Sequence, residues 1–283
     1  MKLIRFGESG REEPGILLED GRILDASSEF HDYDEGFFAS GGLEALAEWI
    51  KEGCPGAVEV SKHERLGPPV ARPSKIVCIG KNYRDHAMEM GGELPTEPVM
   101  FMKASSAWSG PKDDVILPPG AKKLDYEVEL AVVMGQTASR ISKEEALAHV
   151  AGYSTFCDFS ERHNQIELGG QWTKGKSADS FAPMGPWLTT TDEVPDPQKL
   201  HLWCKVNGEI RQNSWTSDMT FTVRRLVSEV SQFMTLLPGD VIATGTPSGV
   251  AMGMKPPRFL EAGDLVECCV EGLGKLEQRV IAG

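Results

Sequence analysis

Positive charge is scarce in this sequence, because 29 Lys and Arg stand against 42 Asp and Glu. The formal net charge is −13 and the isoelectric point is near 5.0. Nucleic-acid binding depends on a basic surface, and adhesion to anionic lipid depends on the same charge. We therefore expect neither nucleic acid nor a membrane surface as a partner.

Long apolar runs are also missing. No uninterrupted stretch approaches the ~20 apolar residues that cross a bilayer. The first residues, MKLIRFGESGREEPG, become charged at once and lack the apolar segment of a secretory signal. These features predict a cytoplasmic protein.

The six cysteines include no C-x-x-C pair, which argues against a zinc or dithiol redox motif. A reducing cytoplasm keeps thiols free, so we interpret the cysteines as small core residues. Cys268 and Cys269 are neighbours in an alternating segment and are expected to face opposite sides of a strand.

The order of predicted elements divides the chain into two units. Residues 1–68 have short strand patterns and a helical pattern at 43–51, which predict a small α+β domain. The proline-rich stretch LGPPVARPSK then leads into a larger domain at 73–283. Strand candidates outnumber helices there and do not alternate with them regularly. This favours a mixed α/β, β-rich fold with mostly antiparallel strands over a doubly wound sheet.

Two helices are predicted in the larger unit. SKEEALAHV has a serine cap and glutamates in its first turn. The longest helix is predicted within SDMTFTVRRLVSEVSQFMTLL, where Phe221, Leu226, Val230, Phe233 and Leu237 lie on or near one stripe.

The stretch GQWTKGKS at 170–177 has the spacing of a phosphate-binding loop. Such a loop lies between a buried strand and a helix. Here a polar segment precedes it, and Pro183 and Pro186 prevent a long helix after it. We therefore predict no nucleotide. Lys176 either lies on a surface loop or projects into another site.

Carboxylates with the spacing of metal ligands occur in DYEVELAVVMG. In a strand, Glu127 and Glu129 point to one face, which continues with the apolar Ala131 and Val133. A divalent cation such as Mg²⁺ or Mn²⁺ would relieve their repulsion. An exposed strand face would give the same pattern. Asp158 follows an apolar run and is either a third ligand or a helix cap.

His86 and Glu89 are three residues apart on a predicted helical turn, where a carboxylate fixes the tautomer of a general base. A surface histidine with a chance neighbour is the alternative. The segment that follows, through Glu93 to Thr96, is predicted to form a loop that closes over a site. The glycine loop ATGTPSGV, residues 243–250, could hold an anion through its N–H groups or be an ordinary turn.

Five ordered blocks resemble the fumarylacetoacetate hydrolase superfamily, and the resemblance covers about residues 73–280. The blocks are G-K-N-Y-x-x-H-x-x-E at 80–89, K-L-D-Y-E-V-E-L at 123–130, D-F-S-E-R-x-x-Q at 158–165, W-T-x-G-K-S-x-D-x-F-x-P-x-G-P at 172–186 and G-D-V-I-x-T-G-T-P-S-G-V at 239–250.

The resemblance implies a β-rich catalytic domain of that family behind a small N-terminal domain, a homodimer, and one Mg²⁺ or Mn²⁺. The family's functional positions fall on metal ligands Glu127, Glu129 and Asp158, catalytic residues His86, Glu89 and Lys176, and substrate-binding residues Arg162, Gln165 and Thr246. His163 departs from the family pattern, which commonly has aspartate there.

The implied activity is hydrolysis of a C–C bond in a 2,4-dioxo acid, with release of pyruvate. The segments around Trp172 and Trp108 are most similar to members that act on 2,4-diketo-3-deoxy sugar acids. The same residues are compatible with an isomerase of the 2-hydroxyhepta-2,4-diene-1,7-dioate type, an oxaloacetate decarboxylase or a ureidoglycolate lyase. A non-enzymatic metal-binding scaffold would have little reason to carry both His86 and Glu89.

Overall fold

The structure is a computed structural model that describes residues 1–89, 91 and 94–283. Glu93, part of the predicted closing loop, lies outside the described residues. The described ranges contain the strands β1 (Lys2–Phe6), β2 (Glu13–Leu17), β3 (Ile23–Asp25), β4 (Glu59–Val60), β5 (Ile76–Gly80), β6 (Val99–Lys103), β7 (Trp108–Ser109), β8 (Val115–Leu117), β9 (Leu124–Asp125), β10 (Val128–Met134), β11 (Val150–Cys157), β12 (Ser160–Glu161), β13 (Ala182–Thr190), β14 (His201–Val206), β15 (Glu209–Trp215), β16 (Val241–Ala243), β17 (Leu265–Val270) and β18 (Lys275–Ala282).

Helices are few and short. They are α1 (Glu35–Ala39), α2 (Gly42–Lys51), α3 (Arg84–Glu89), α4 (Thr173–Lys176) and α5 (Val223–Phe233). The predicted helix at 43–51 is therefore confirmed as α2.

The other two helix predictions need correction. The longest helix, α5, begins only at Val223, because the Thr222 side chain accepts the N–H of Arg225 as an N-cap. Phe233 is 66% exposed and does not share the buried face. SKEEALAHV forms a single 3₁₀ turn at Ala146–His149, because the chain enters β11 at the very next residue.

Two sheets make up most of the fold. The larger has the order β4-β3-β2-β1-β13-β11-β10-β16-β5-β6, with β7 beside β13. The second has the order β15-β14-β17-β18-β8. Most neighbours are antiparallel, whereas β16·β5, β13·β7 and β18·β8 are parallel. The expected β-rich, mostly antiparallel fold is confirmed.

The N-terminal strands extend the larger sheet, since β1 pairs with β13. The division of the chain at residues 68 and 73 stays a prediction. Among the described residues, no helix has the length and apolar character that a membrane crossing requires.

The core lies between the two sheets, and the central strands β10 and β11 are buried along their whole lengths. Thr155 on β11 ties the layers together: its hydroxyl donates to the Gly274 carbonyl and accepts the Val270 N–H. Cys268 is buried and Cys269 only half-buried, so their predicted opposite orientation is confirmed.

Candidate active site

The pairing of β10 with β11 brings three carboxylates together. Val128 pairs with Cys157, so the preceding Glu127 stands opposite Asp158, whose N–H donates to the Glu127 carbonyl at 2.9 Å. Side chains alternate along a strand, so Glu129 faces the same side as Glu127. One oxygen atom of each of the three side chains lies within 4.8 Å of the others, and all three residues are buried.

The pKa values of Glu129 and Glu127 in this cluster are shifted in opposite directions. Burial raises the pKa of Glu129 well above its ordinary value, and the charges of Asp158 and Glu127 raise it further. Burial also opposes ionisation of Glu127, but Arg162 and Lys176 outweigh it and hold that pKa well below its usual range. A convergent, all-oxygen donor set of this kind fits Mg²⁺ or Mn²⁺.

Lys176 ends the short helix α4 and is 1% exposed. Its Nζ lies 2.6 Å from Glu127 Oε2 and 2.7 Å from Asp158 Oδ2. Burial disfavours the ammonium form, yet these two carboxylates raise the pKa of Lys176 above its ordinary value. Glycine is required at Gly175, where a Cβ would stand 2.4 Å from the Glu161 carbonyl oxygen. The glycine therefore lets the chain bring Lys176 against the carboxylates.

His86 and Glu89 form a pair on α3, with His86 Nδ1 at 3.3 Å from Glu89 Oε2. Glu89 is itself held, because its Oε1 accepts the Gly249 N–H at 3.0 Å. Asp85, the residue before His86 on α3, accepts a hydrogen bond from the Ser248 hydroxyl at 2.6 Å. The glycine loop thus fixes α3 and leaves His86 Nε2 as the ring nitrogen not engaged by Glu89.

Arg162 uses all three of its guanidinium nitrogens within the protein. Its Nη2 donates to Glu127 Oε1 at 2.6 Å and its Nη1 to Gln165 Oε1 at 3.0 Å. Its Nε donates to Asp125 Oδ2 at 2.8 Å. Arg162 and Gln165 both line the cavity described below, and Arg162 also holds a carboxylate of the cluster.

The glycine loop binds protein carboxylates through its backbone. The Gly245 N–H donates to Glu129 Oε2 at 2.7 Å. The Thr246 hydroxyl donates its proton to the Val128 carbonyl at 2.9 Å and accepts from Gln212 Nε2 at 2.8 Å. Thr246 reaches the cavity, but its hydroxyl proton is already used to fasten the loop to β10.

These side chains surround a cavity of about 250 Å³. His86, Glu127, Glu129 and Lys176 give it polar surface. Its apolar surface comes from Ile79, Phe101, Ile166, Trp172 and Met252. A cavity of this size accommodates a small molecule with a polar head and a short apolar chain.

Sequence reasoning missed three residues of this region. Asp125 is fully buried and accepts the N–H groups of Ala251 and Met252; its alternation with the two glutamates could have identified it. Lys81 lines the cavity in a left-handed backbone conformation, with φ of 57°. Lys103 is buried against Asp158, although its position at the end of the apolar strand β6 gave no sign of this.

His163, which departs from the family pattern, bonds through Nδ1 to Glu167 Oε2 at 2.9 Å. The phosphate-loop motif has no strand before it and forms only the four-residue helix α4. Its lysine, Lys176, is aimed at carboxylates, and the absence of a nucleotide stays a prediction.

Comparison with known proteins agrees with this geometry. The sequence profile of the fumarylacetoacetate (FAA) hydrolase C-terminal family matches residues 75–281. This chain belongs to the fumarylacetoacetate hydrolase family. A relative from Burkholderia lata, whose name proposes a hydrolase without a substrate, is 50% identical over 280 residues, covering 99% of this chain and 98% of the relative.

Solved structures of the family superimpose over the whole chain. The fumarylacetoacetate hydrolase of Exiguobacterium antarcticum is 38% identical, with a TM-score of 0.85 and 100% coverage of both chains. The maleylpyruvate hydrolase of Sphingobium sp. SYK-6, solved with manganese(II) and pyruvate, is 28% identical, with a TM-score of 0.82 and 100% coverage of both chains.

Proposed function

We propose that this member of the family is a metal-dependent hydrolase that cleaves a C–C bond of a 2,4-dioxo acid and releases pyruvate. The observation that carries the proposal is one small cavity lined by Glu127, Glu129, Lys176 and His86. Asp158 lies directly behind it in the carboxylate cluster, and Glu89 is bonded to His86. The manganese and pyruvate in the Sphingobium relative support the same class of substrate.

Glu127, Glu129 and Asp158 would hold the cation. When bound, a divalent ion supplies Lewis-acid polarisation of a 2-oxo acid and offsets the charge of three carboxylates. Arg162 keeps Glu127 ionised and oriented, and the Gly245 N–H orients one oxygen of Glu129.

His86 serves as the general base in this proposal. Glu89 accepts a hydrogen bond from the Nδ1–H of His86, which leaves Nε2 to take a proton from water. The resulting hydroxide adds to C4 of the substrate, and the C3–C4 bond then breaks. Its electron pair passes to C3 and the 2-oxo oxygen as an enolate. One proton returns to C3, giving pyruvate and the carboxylic acid that contains C4.

Lys176 stabilises the enolate oxygen. It is buried, charged and on the cavity wall, where an ammonium group acts most strongly on developing negative charge. Apolar neighbours such as Phe101 and Trp172 limit competing water and leave room for the acyl chain.

The test is product release from a panel of substrates: pyruvate from acylpyruvates, 2,4-diketo-3-deoxy sugar acids and oxaloacetate, and glyoxylate from ureidoglycolate. We expect turnover of at least one 2,4-dioxo acid with Mg²⁺ or Mn²⁺, loss of turnover after chelation, and recovery when the metal is restored. Absence of metal-dependent turnover on every 2-oxo acid would contradict the proposal. Turnover of oxaloacetate alone would favour decarboxylation over hydrolysis.

A further inference from the structure

The carboxylates of the cluster share a pattern of attachment. Glu127 gives Oε1 to Arg162 at 2.6 Å, and Glu129 gives Oε2 to the Gly245 N–H at 2.7 Å. In each case a buried protein donor holds one oxygen. Glu127 then directs Oε2 at Lys176, on the cavity wall.

Asp158 follows the same pattern with a different donor. Its Oδ1 accepts from Lys103 Nζ, while its Oδ2 accepts from Lys176 Nζ at 2.7 Å. Lys103 has a second fixed anchor, because its Nζ also donates to the Phe159 carbonyl at 3.0 Å. The Lys103 ammonium therefore donates to two consecutive residues, to the side chain of Asp158 and to the carbonyl of Phe159.

Lys103 and Lys176, the two lysines bonded to Asp158, differ in whether they line the cavity. Lys176 lines the cavity, whereas the Lys103 side chain is 0% exposed and is not part of the cavity wall. A buried ammonium is costly unless it is paired and hydrogen-bonded. Lys103 donates to Asp158 and to the backbone carbonyl beside it. Because it does not line the cavity, it does not contact a substrate bound there.

We propose that Lys103 is a positioning residue of the metal site, which holds Asp158 Oδ1 so that Oδ2 faces Glu127 and Glu129. The inference rests on the proposed metal site and deepens it. Donors behind metal ligands orient them and set their basicity, and their loss typically lowers metal affinity by about 10- to 100-fold. Loss of Lys103 would also leave Asp158 Oδ1 without its buried donor, while Oδ2 stays bonded to Lys176.

Titration of the purified full-length protein with Mn²⁺, followed by electron paramagnetic resonance, tests this directly. Lys103→Met is expected to bind Mn²⁺ about 10- to 100-fold more weakly than the unsubstituted protein. Lys75→Met is the matched control, because Lys75 pairs with the fully buried Asp240 away from the cavity. It removes a comparable ion pair and is expected to leave Mn²⁺ affinity unchanged.

A double-mutant cycle separates positioning from general damage. If Lys103 acts through Asp158, the effect of Lys103→Met on Mn²⁺ affinity should largely disappear in an Asp158→Asn background. Full additivity would overturn the inference, as would unchanged affinity in folded Lys103→Met. Should the methionine variant not fold, Lys103→Gln replaces it, with the same expected loss and the same overturning result.

The design also distinguishes two kinds of failure. If the unsubstituted protein binds no Mn²⁺, the proposed metal site itself is wrong. If it binds Mn²⁺ and the Lys103 variants bind it equally well, only the role of Lys103 is wrong.

Discussion

This protein has two clusters of acidic and basic side chains, which differ in how the charges are arranged. The junction cluster lies where the N-terminal strands meet the rest of the chain; it consists of Arg5, Glu12, Asp32, Arg65 and Asp113. The site cluster consists of Glu127, Glu129, Asp158, Lys103, Arg162 and Lys176.

In the junction cluster, opposite charges meet in pairs. Arg65 donates two hydrogen bonds to Asp113, at 2.8 and 2.6 Å. Arg5 likewise donates two to Asp32, at 2.6 and 2.9 Å. The Arg65 and Asp113 side chains are 28% and 25% exposed, so solvent screens them. Such pairs hold two segments together.

In the site cluster, like charges converge and are buried. Glu129 has no cationic side chain bonded to it in the described part of the chain, and its pKa is raised by burial and by two carboxylate neighbours. An arrangement that costs stability in this way is typical of a site that binds a cation or substrate. The comparison shows that the arrangement of the charges, more than their number, distinguishes a candidate binding site from a set of structural ion pairs.

Removal of a carboxylate from the site cluster should have the largest effect. Glu129→Gln is expected to weaken Mn²⁺ binding by more than about 100-fold, since losing a ligand exceeds the loss of a donor behind one. Pyruvate release should fall below detection. The control is Glu167→Gln, an exposed glutamate paired with Lys123 and His163, which should leave Mn²⁺ titration unchanged. Equal effects of both substitutions would show that Mn²⁺ does not bind at the site cluster.

His86→Ala should come next. Loss of a general base typically lowers the rate by about 10²- to 10⁴-fold. Hydrolysis of a 2,4-dioxo acid should therefore collapse, whereas decarboxylation of oxaloacetate needs no attacking water and should be largely spared. His163→Ala, outside the cavity wall, is the control. The assigned role of His86 would be wrong if both reactions fell equally.

Lys176→Met should separate catalysis from metal binding. We expect kcat to drop by about 10²- to 10³-fold, as when a donor to a developing oxyanion is removed. Mn²⁺ affinity should change less than kcat, because Arg162 and Lys103 still hold the other oxygens of Glu127 and Asp158 after Lys176 is removed. Steady-state kinetics and Mn²⁺ titration on one preparation check this, and a collapse of metal binding with intact folding would show that the lysine is structural.

The junction cluster should give the smallest effect. Arg65→Ala is expected to lower the free energy of unfolding by about 1–3 kcal/mol, because it also leaves the buried Glu12 without its partner at 3.0 Å. Urea denaturation measures this loss. Turnover per folded molecule should stay at the unsubstituted level, and a drop in kcat would mean that the junction also controls the active site.

Local sequence patterns predicted several parts of the site. Strand alternation placed Glu127 and Glu129 on one face, which the structure shows to be buried, and helical spacing paired His86 with Glu89. The flanks of GQWTKGKS argued against a nucleotide, which stays a prediction. The family blocks supplied the expectation that these parts belong together, and the profile match confirms the family.

Local patterns failed where a tertiary contact overrode them. SKEEALAHV carried good helix signals, but β11 starts directly after it and leaves room for only one turn. Phe233 fitted the apolar stripe of α5, yet it lies at the last turn and is exposed.

By itself, the sequence determined which residues alternate, which turns form and which carboxylates share a strand face, because these depend on neighbours along the chain. The antiparallel register of β10 and β11 decided that Asp158 stands opposite Glu127. The folding of β6 and α4 against that strand end decided that Lys103 and Lys176 each take one oxygen of Asp158. Contacts between residues 55 and 18 positions apart depend on how sheets and helices pack, and no local pattern contains that information.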